Sequence, residues 1–316
     1  MGFGRALICS LMVIFSYRQV LVNGQDLTDG FYSVACPLAE SIVRATVAAA
    51  FFVQPNIAPG LLKLHYSDCF VEGCDGSVLI SGPNTEKTAA ANLNLGGFEV
   101  IEDIKRQIEL VCPGVVSCAD ILASAARDSV VLTNGSSWDV KSGRKDGRVS
   151  LAANVDLPFE NVSITSLLKF FAAHGLNTED FVALLGRHTI GTAACKFVTD
   201  TISIDLTIDP LFLTTLQTSC PIEEDDGSSP VTLDMGSELV FDSSILTSTL
   251  SENAALMTNN NKNLFAILDD ILKTVTNLAQ KQRLKKALAT VSFNMSVIGV
   301  KTGVYGEIRK SCSKAN

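Results

Sequence analysis

Charge is scarce in this 316-residue chain: 18% of its residues are ionisable, and 33 acids against 25 bases leave a formal charge of −8. That balance argues against nucleic acid or an anionic membrane surface as a partner. No Gly/Ser-rich linker divides the chain and no internal repeat is present. With 47% hydrophobic residues it can bury one large core, so a single domain is expected. A long apolar run is missing too: Ala6–Phe15 is too short to span a bilayer, and polar Tyr17, Arg18 and Gln19 follow it. Alternating strand patterns are few. Segments of helical period prevail, such as Phe98–Val111 with Val100, Ile101, Ile104 and Ile108 on one stripe, so the fold is mainly α.

The first 24 residues carry Arg5, the short apolar run and a small-residue end at Val22 and Gly24, the pattern of a secretory signal with cleavage expected before Gln25. Residues 25–316 then form the domain, and loss of Arg5 and Arg18 takes the formal charge from −8 to −10. Cys9 leaves with the signal. The remaining eight cysteines imply disulfides in a secreted chain, although eight allow 105 pairings. Sequons at Asn134, Asn161 and Asn294 fit the same compartment, with about two of the three expected to carry glycan. Further helices are expected at Pro37–Val53, Cys118–Leu132, Thr165–His174, Thr178–Thr189, Pro210–Thr218, Leu264–Val275 and Gln282–Met295, with Pro37 and Pro210 in first turns and Gly114 and Gly175 as stops. The acidic run Glu223–Pro230 reads as a solvated loop.

The most informative stretch is Lys63–Ser77, KLHYSDCFVEGCDGS. Asp68, Asp75 and Ser77 offer hard oxygen ligands at short spacing, and Gly73 and Gly76 permit the tight turns between them, which suits Ca²⁺. The stretch resembles the distal helix of the secretory plant peroxidases (class III haem peroxidases), RLHFHDCFVxGCDxS. The resemblance runs from GFYSVACP near residue 30 to TGVYGEIRKSC ending at Cys312. It implies a mainly α, haem-peroxidase-like single domain of about ten helices in two lobes with haem between them. It also implies four disulfides: Cys36–Cys112, Cys69–Cys74, Cys118–Cys312 and Cys195–Cys220. As cofactors it implies haem b and two Ca²⁺, the first held by Asp68, Val71, Gly73, Asp75 and Ser77. Hydrogen peroxide and small aromatic donors would be the reaction partners, and the protein would be a monomer outside the cell. Only Ser313–Asn316 follow the last cysteine, which favours the cell wall over a vacuole.

Two positions depart from the family's catalytic pattern. Ser67 stands where the family has its proton-accepting histidine, and Lys63 where it has the charge-stabilising arginine. A serine hydroxyl with no activator stays protonated at neutral pH, and lysine lacks the planar fork of arginine. At about 100° per residue, positions 63, 66 and 67 share a helix face while 65 lies roughly 200° from 63 and 67, so His65 points away and cannot substitute. Tyr66 faces the cavity in place of phenylalanine. Glu86 and Asn92 match the pair that orients the family's distal histidine. Here local backbone or Lys87 is the expected partner instead. Pro158 matches a donor-contacting proline, with Glu160 where the family has a second one.

On the other side, Asn177 or Thr178 caps a helix whose Phe181, Leu184, Leu185 and His188 share a face. GRHTIG resembles the family's GAHTIG, whose histidine ligates haem iron, which would make His188 the axial ligand. Arg187 replaces a small residue, and its guanidinium requires solvent, a haem propionate or a carboxylate. Thr189 with Asp234, Ser237, Val240 and Asp242 matches the second calcium site by spacing. The run ALMTNNNKNLF, Ala255–Phe265, lacks the acid that supports the family's axial histidine. Asn260 or Asn261 takes its place, the register being open by one residue. An inefficient haem peroxidase is the expected function. A non-catalytic haem- or ligand-binding protein and an apo structural extracellular protein are the alternatives.

Overall fold

A computed structural model describes residues 27–158, 162–195, 210–221, 229–234, 237–242, 244–245 and 278–316. Asn161, Glu160, Asn260, Asn261, the expected signal, the helix Leu264–Val275 and most of the acidic run lie outside the described residues. Apolar positions at helical spacing form α1 (Ala39–Val53), α2 (Ile57–Cys69), α3 (Phe98–Val111) and α4 (Cys118–Leu132). Next come α5 (Ile164–Ala173), α6 (Thr178–Leu185), β1 (Thr192–Ala194), α7 (Pro210–Ser219), β2 (Pro230–Thr232) and α8 (Leu278–Ser296). The two short strands pair antiparallel with Ala193 opposite Val231. Among the described residues no helix is long and apolar enough to cross a membrane.

Two hydrophobic cores share α2. Leu61 and Leu64 pack with Val43 and Val47 of α1, Ile101, Ile104 and Ile108 of α3, and Ile121 and Leu122 of α4. Ala58 and Leu62 on the opposite side of α2 pack with Phe171 of α5, Phe181 and Leu184 of α6, and Leu288, Val291 and Met295 of α8. A helix buried on two sides can hardly shift. Truncating its fully buried Leu64 to alanine should cost about 2–5 kcal/mol.

All four expected disulfides are formed. Cys36–Cys112 joins the start of α1 to the end of α3. Cys69–Cys74 closes the turn after α2. Cys118–Cys312 spans 194 residues and ties α4 to the last segment, which by loop entropy restricts the unfolded chain by roughly 5 kcal/mol.

Some boundaries differ from the sequence expectation. Pro37 lies before α1, in a turn in which the Ala39 N–H donates to Cys36 O, and the helix begins at Ala39. Gly175 stops α5 with φ +78°, as a left-handed position favours. The expected helix Thr178–Thr189 is α only to Leu185 and tightens into a 3₁₀ turn, Gly186–Thr189. α8 starts four residues earlier than expected. Asn134 is exposed in the turn after α4, where a glycan has room. Asn294 lies inside α8, its side-chain nitrogen donating to Asp180 at 3.2 Å, so the attachment atom is engaged.

Candidate active-site cleft and its two oxygen nests

The turn carrying His188 is fixed from its start. Asn177 settles the cap: its side chain accepts from Asp180 N–H and Asp180 accepts from Asn177 N–H, both at 3.0 Å. Phe181, Leu184 and Leu185 bury the helix face, and the 3₁₀ turn then carries His188 away from it. The His188 side is open to solvent-sized contact, yet protein surrounds it closely enough for burial to lower its pKa, with Arg187 and Lys63 adding to the fall. The His188 Nδ1–H donates to Leu185 O at 3.1 Å, which fixes the tautomer and leaves Nε2 with its lone pair.

Lys63, whose positive charge acts on His188, is exposed on α2 and makes no ion pair among the described residues; partial desolvation lowers its pKa. Tyr66 is half-buried and stacks on Phe70 at 4.6 Å between centroids. Phe70 in turn meets Phe170 and Phe171 at 5.4 Å and His174 at 5.0 Å, an aromatic wall. Ser67 is 2% exposed, and its hydroxyl has no hydrogen bond among the described residues. Pro158 is half-buried. His65 is fully buried with both ring nitrogens unpaired, and burial holds it neutral. Cys69 and Cys74 lie close to it, but their sulfurs are bonded to each other and offer no thiolate to a metal.

Arg187 is buried and meets no carboxylate among the described residues. Its Nη2 donates to Leu62 O at 3.3 Å and its Nη1 points to Met295 Sδ at 3.2 Å, so the residue before His188 fastens that turn to α2 and α8. Burial without a counter-ion pushes its pKa down to about 10. Asn92 Nδ2 donates to the Glu86 carbonyl at 2.9 Å, the local backbone contact expected, while Lys87 sits over the Phe98 ring and not on Glu86. The Glu86 carboxylate and the Asn92 side-chain oxygen are buried with no hydrogen-bond partner among the described residues. Burial, with Asp75 and Glu72 nearby, raises Glu86 to about 8; Ser77 lies near enough to temper this without closing a hydrogen bond.

The first oxygen nest follows α2. Asp68 accepts from Gly76 N–H at 2.9 Å and Val78 N–H at 3.4 Å, and Asp75 accepts from Ser77 N–H at 2.9 Å. Asp68, Asp75 and Ser77 are all essentially inaccessible, and the Ser77 hydroxyl has no partner. Burial and the neighbouring Asp75 raise Asp68 well above the usual carboxylate range. Gly73 is obligatory here: a Cβ would meet Gly299 O at 2.3 Å, so this loop, with Val71 in it, lies directly on the segment leading to Lys301. Lys301 is paired with Asp75, a contact no local sequence signal announced.

The second nest lies directly after His188. Thr189 Oγ1 donates to Asp234 at 2.9 Å and lies 3.2 Å from Asp242, while Ser237 Oγ is 3.2 Å from Asp234. Val240 follows in the same loop, its N–H donating to Ser237 O at 2.9 Å. Four side chains that the family resemblance singled out therefore converge. Ser244, absent from the expected set, adds a hydroxyl 2.8 Å from Ser237 and in contact with Asp234 and Asp242.

The family whose model is described as peroxidase matches residues 43–281. The chain is similar to Peroxidase 62 of Arabidopsis thaliana at 50% identity, covering 97% of this chain and 98% of that one. It is similar to Peroxidase 71 of Arabidopsis thaliana at 46% identity over the whole of both. Peroxidase N1 of Nicotiana tabacum is 45% identical, over 97% of this chain and 96% of its own. A family match over most of the chain and identity at this level over nearly its full length leave one assignment: the chain belongs to the secretory plant peroxidase family.

Proposed function

We propose that the protein works outside the cell as a monomer, binds haem b through His188 and Ca²⁺ at both nests, and oxidises phenolic-type donors with hydrogen peroxide slowly. The residues fit a haem: His188 offers an anchored imidazole with one nitrogen unclaimed among the described residues, and Lys63 lies near enough for its charge to reach that ring. They fit Ca²⁺ as well. Asp68, Asp75 and Ser77, with the carbonyls of Val71 and Gly73, would hold one ion; Thr189, Asp234, Ser237 and Asp242, with the carbonyl of Val240, would hold the other. Buried carboxylates and an unpartnered hydroxyl are what a hard cation would satisfy.

Bound haem supplies the redox chemistry with peroxide, and the side chains must move the peroxide proton and stabilise the separating charge. The observation that carries the slow reading is Ser67: a buried hydroxyl with no base beside it cannot take that proton. Glu86 and Asn92, the expected supports of a distal imidazole, keep acceptor oxygens that no side chain claims. Lys63 would still supply positive charge, without the bidentate geometry of arginine. Loss of a general base costs about 10²- to 10⁴-fold, and loss of one charge-stabilising donor about 10²- to 10³-fold, the two not being additive.

The calcium-loaded protein reconstituted with haem should show a Soret band, and its absence would sink the haem reading. Stopped-flow mixing with peroxide should change that band slowly, and Ser67→His with Lys63→Arg should accelerate the change by about 10²-fold or more. A rapid reaction in the unaltered chain would overturn the slow reading. A Soret band with no peroxide reaction even in the double variant would favour a non-catalytic haem protein.

A further inference from the structure

The two nests use the same kinds of oxygen but are neutralised in different ways. In the first, backbone N–H groups already donate to Asp68 and Asp75. The ammonium of Lys301 completes the set, paired with Asp75 and donating to Glu72 O at 3.2 Å. It arrives from 226 residues along the chain, held by the bridge between Lys145 and Lys301. In the second, a backbone N–H also donates, from Ser244 to Asp242 at 2.7 Å, but no lysine, arginine or histidine side chain takes part among the described residues. Ser244 Oγ lies against Asp234, Asp242, Ser237 and, at 3.4 Å, Thr189. Three hydroxyls carry three hydrogens, fewer than the short oxygen–oxygen contacts here require. The surplus is electron density with no cationic side chain to meet it among the described residues.

We propose that Ca²⁺ binds the second nest far more tightly than the first, with Ser244 as an additional ligand there and Lys301 as a tethered competitor for the ion at the first. The inference deepens the calcium reading above and rests on it. An ion entering the first nest meets an ammonium already paired with Asp75, and separating that buried pair carries a penalty. The Lys301 side chain is 28% exposed and can withdraw to solvent, so it weakens binding and does not abolish it. An ion entering the second nest meets oxygens and one backbone N–H, with no ammonium to displace among the described residues, and each added oxygen ligand raises affinity. The tighter ion would therefore sit beside Thr189, next to His188.

The test is calorimetric titration of the intact, disulfide-bonded chain with calcium after chelation. Two binding events should differ by about tenfold or more. Lys301→Met should tighten the weaker event by about tenfold and leave the stronger one in place; Lys301→Gln serves if the methionine variant folds poorly. Ser244→Ala should weaken the stronger event by about tenfold, while Ser244→Asp should preserve or tighten it. Equal affinities in the unaltered chain, a weaker event indifferent to Lys301, or a stronger event indifferent to Ser244 would each overturn the proposal. No calcium uptake by any variant would remove the calcium reading itself, and this inference with it.

Discussion

Residues 63–67 and 68–77 are adjacent in sequence and differ in what their neighbours demand of them. Asp68, Asp75 and Ser77 are buried and tied to the backbone of their own loop, with Lys301 reaching in from the far end of the chain. Lys63 is exposed, Tyr66 half-buried and Ser67 buried, and none of them makes an ion pair or side-chain hydrogen bond among the described residues. A residue woven into the fold can change only at the cost of folding, whereas one that serves only a reactant can change freely. The scaffold and the chemistry of one fifteen-residue stretch are thus separable.

The largest expected effect tests that separation. In calcium-saturated protein, Asp68→Ala removes a buried carboxylate from two backbone donors and from the ion, and should lower stability by about 3–5 kcal/mol. Ser67→Ala, one residue away, should change it by less than about 1 kcal/mol. Thermal unfolding of the two variants decides the matter. Equal losses would mean that Ser67 is as much a part of the scaffold as Asp68.

A smaller effect should follow pH in calcium-free protein. Glu86, buried beside Asp75, Glu72, Ser77 and Lys301, has its pKa raised from 4.5 to about 8. The folded state then holds a proton that the unfolded state releases, so this contribution is fully present below pH 4.5 and is lost as pH rises through about 8. Stability should fall across that window by a few kcal/mol at most, on the order expected for such a shift. Glu86→Gln should flatten the fall, and saturating calcium should reduce it. A calcium-free profile unchanged by the substitution would place the strain of this region elsewhere.

The scaffold was the more legible half. The stripe of α3 appears at its expected limits because its period of apolar residues is itself the cause of the helix. The nest oxygens of Thr189, Asp234, Ser237 and Asp242 converge, as the family resemblance implied. Two contributors escaped. Ser244 sits beside another serine, and spacing cannot say which hydroxyl turns inward. Lys301 has no local reason to meet Asp75; only the approach of Gly73 to Gly299 brings it there. Arg187 was recognisable as a departure, but its partners, Leu62 O and Met295 Sδ, depend on how three helices meet. Asn260 and Asn261 fall outside the described residues.

The smallest expected effect concerns a residue between the two halves in kind. Asn92 is anchored through its nitrogen to the Glu86 backbone, as a scaffold residue would be, but its side-chain oxygen is buried and unclaimed. The family resemblance pairs that oxygen with an imidazole at position 67. Restoring the imidazole by Ser67→His should therefore supply a missing hydrogen bond and raise stability by about 0.5–1.5 kcal/mol, before any peroxide is added. Asn92→Ala should cancel most of that gain, and a double-mutant cycle with the unaltered chain isolates the coupling. If Ser67→His stabilises equally with and without Asn92, the gain comes from filling space, and Asn92 belongs wholly to the scaffold. If the coupling is present, the cleft still holds the support for a base it no longer carries, and one substitution suffices to reconnect chemistry to fold.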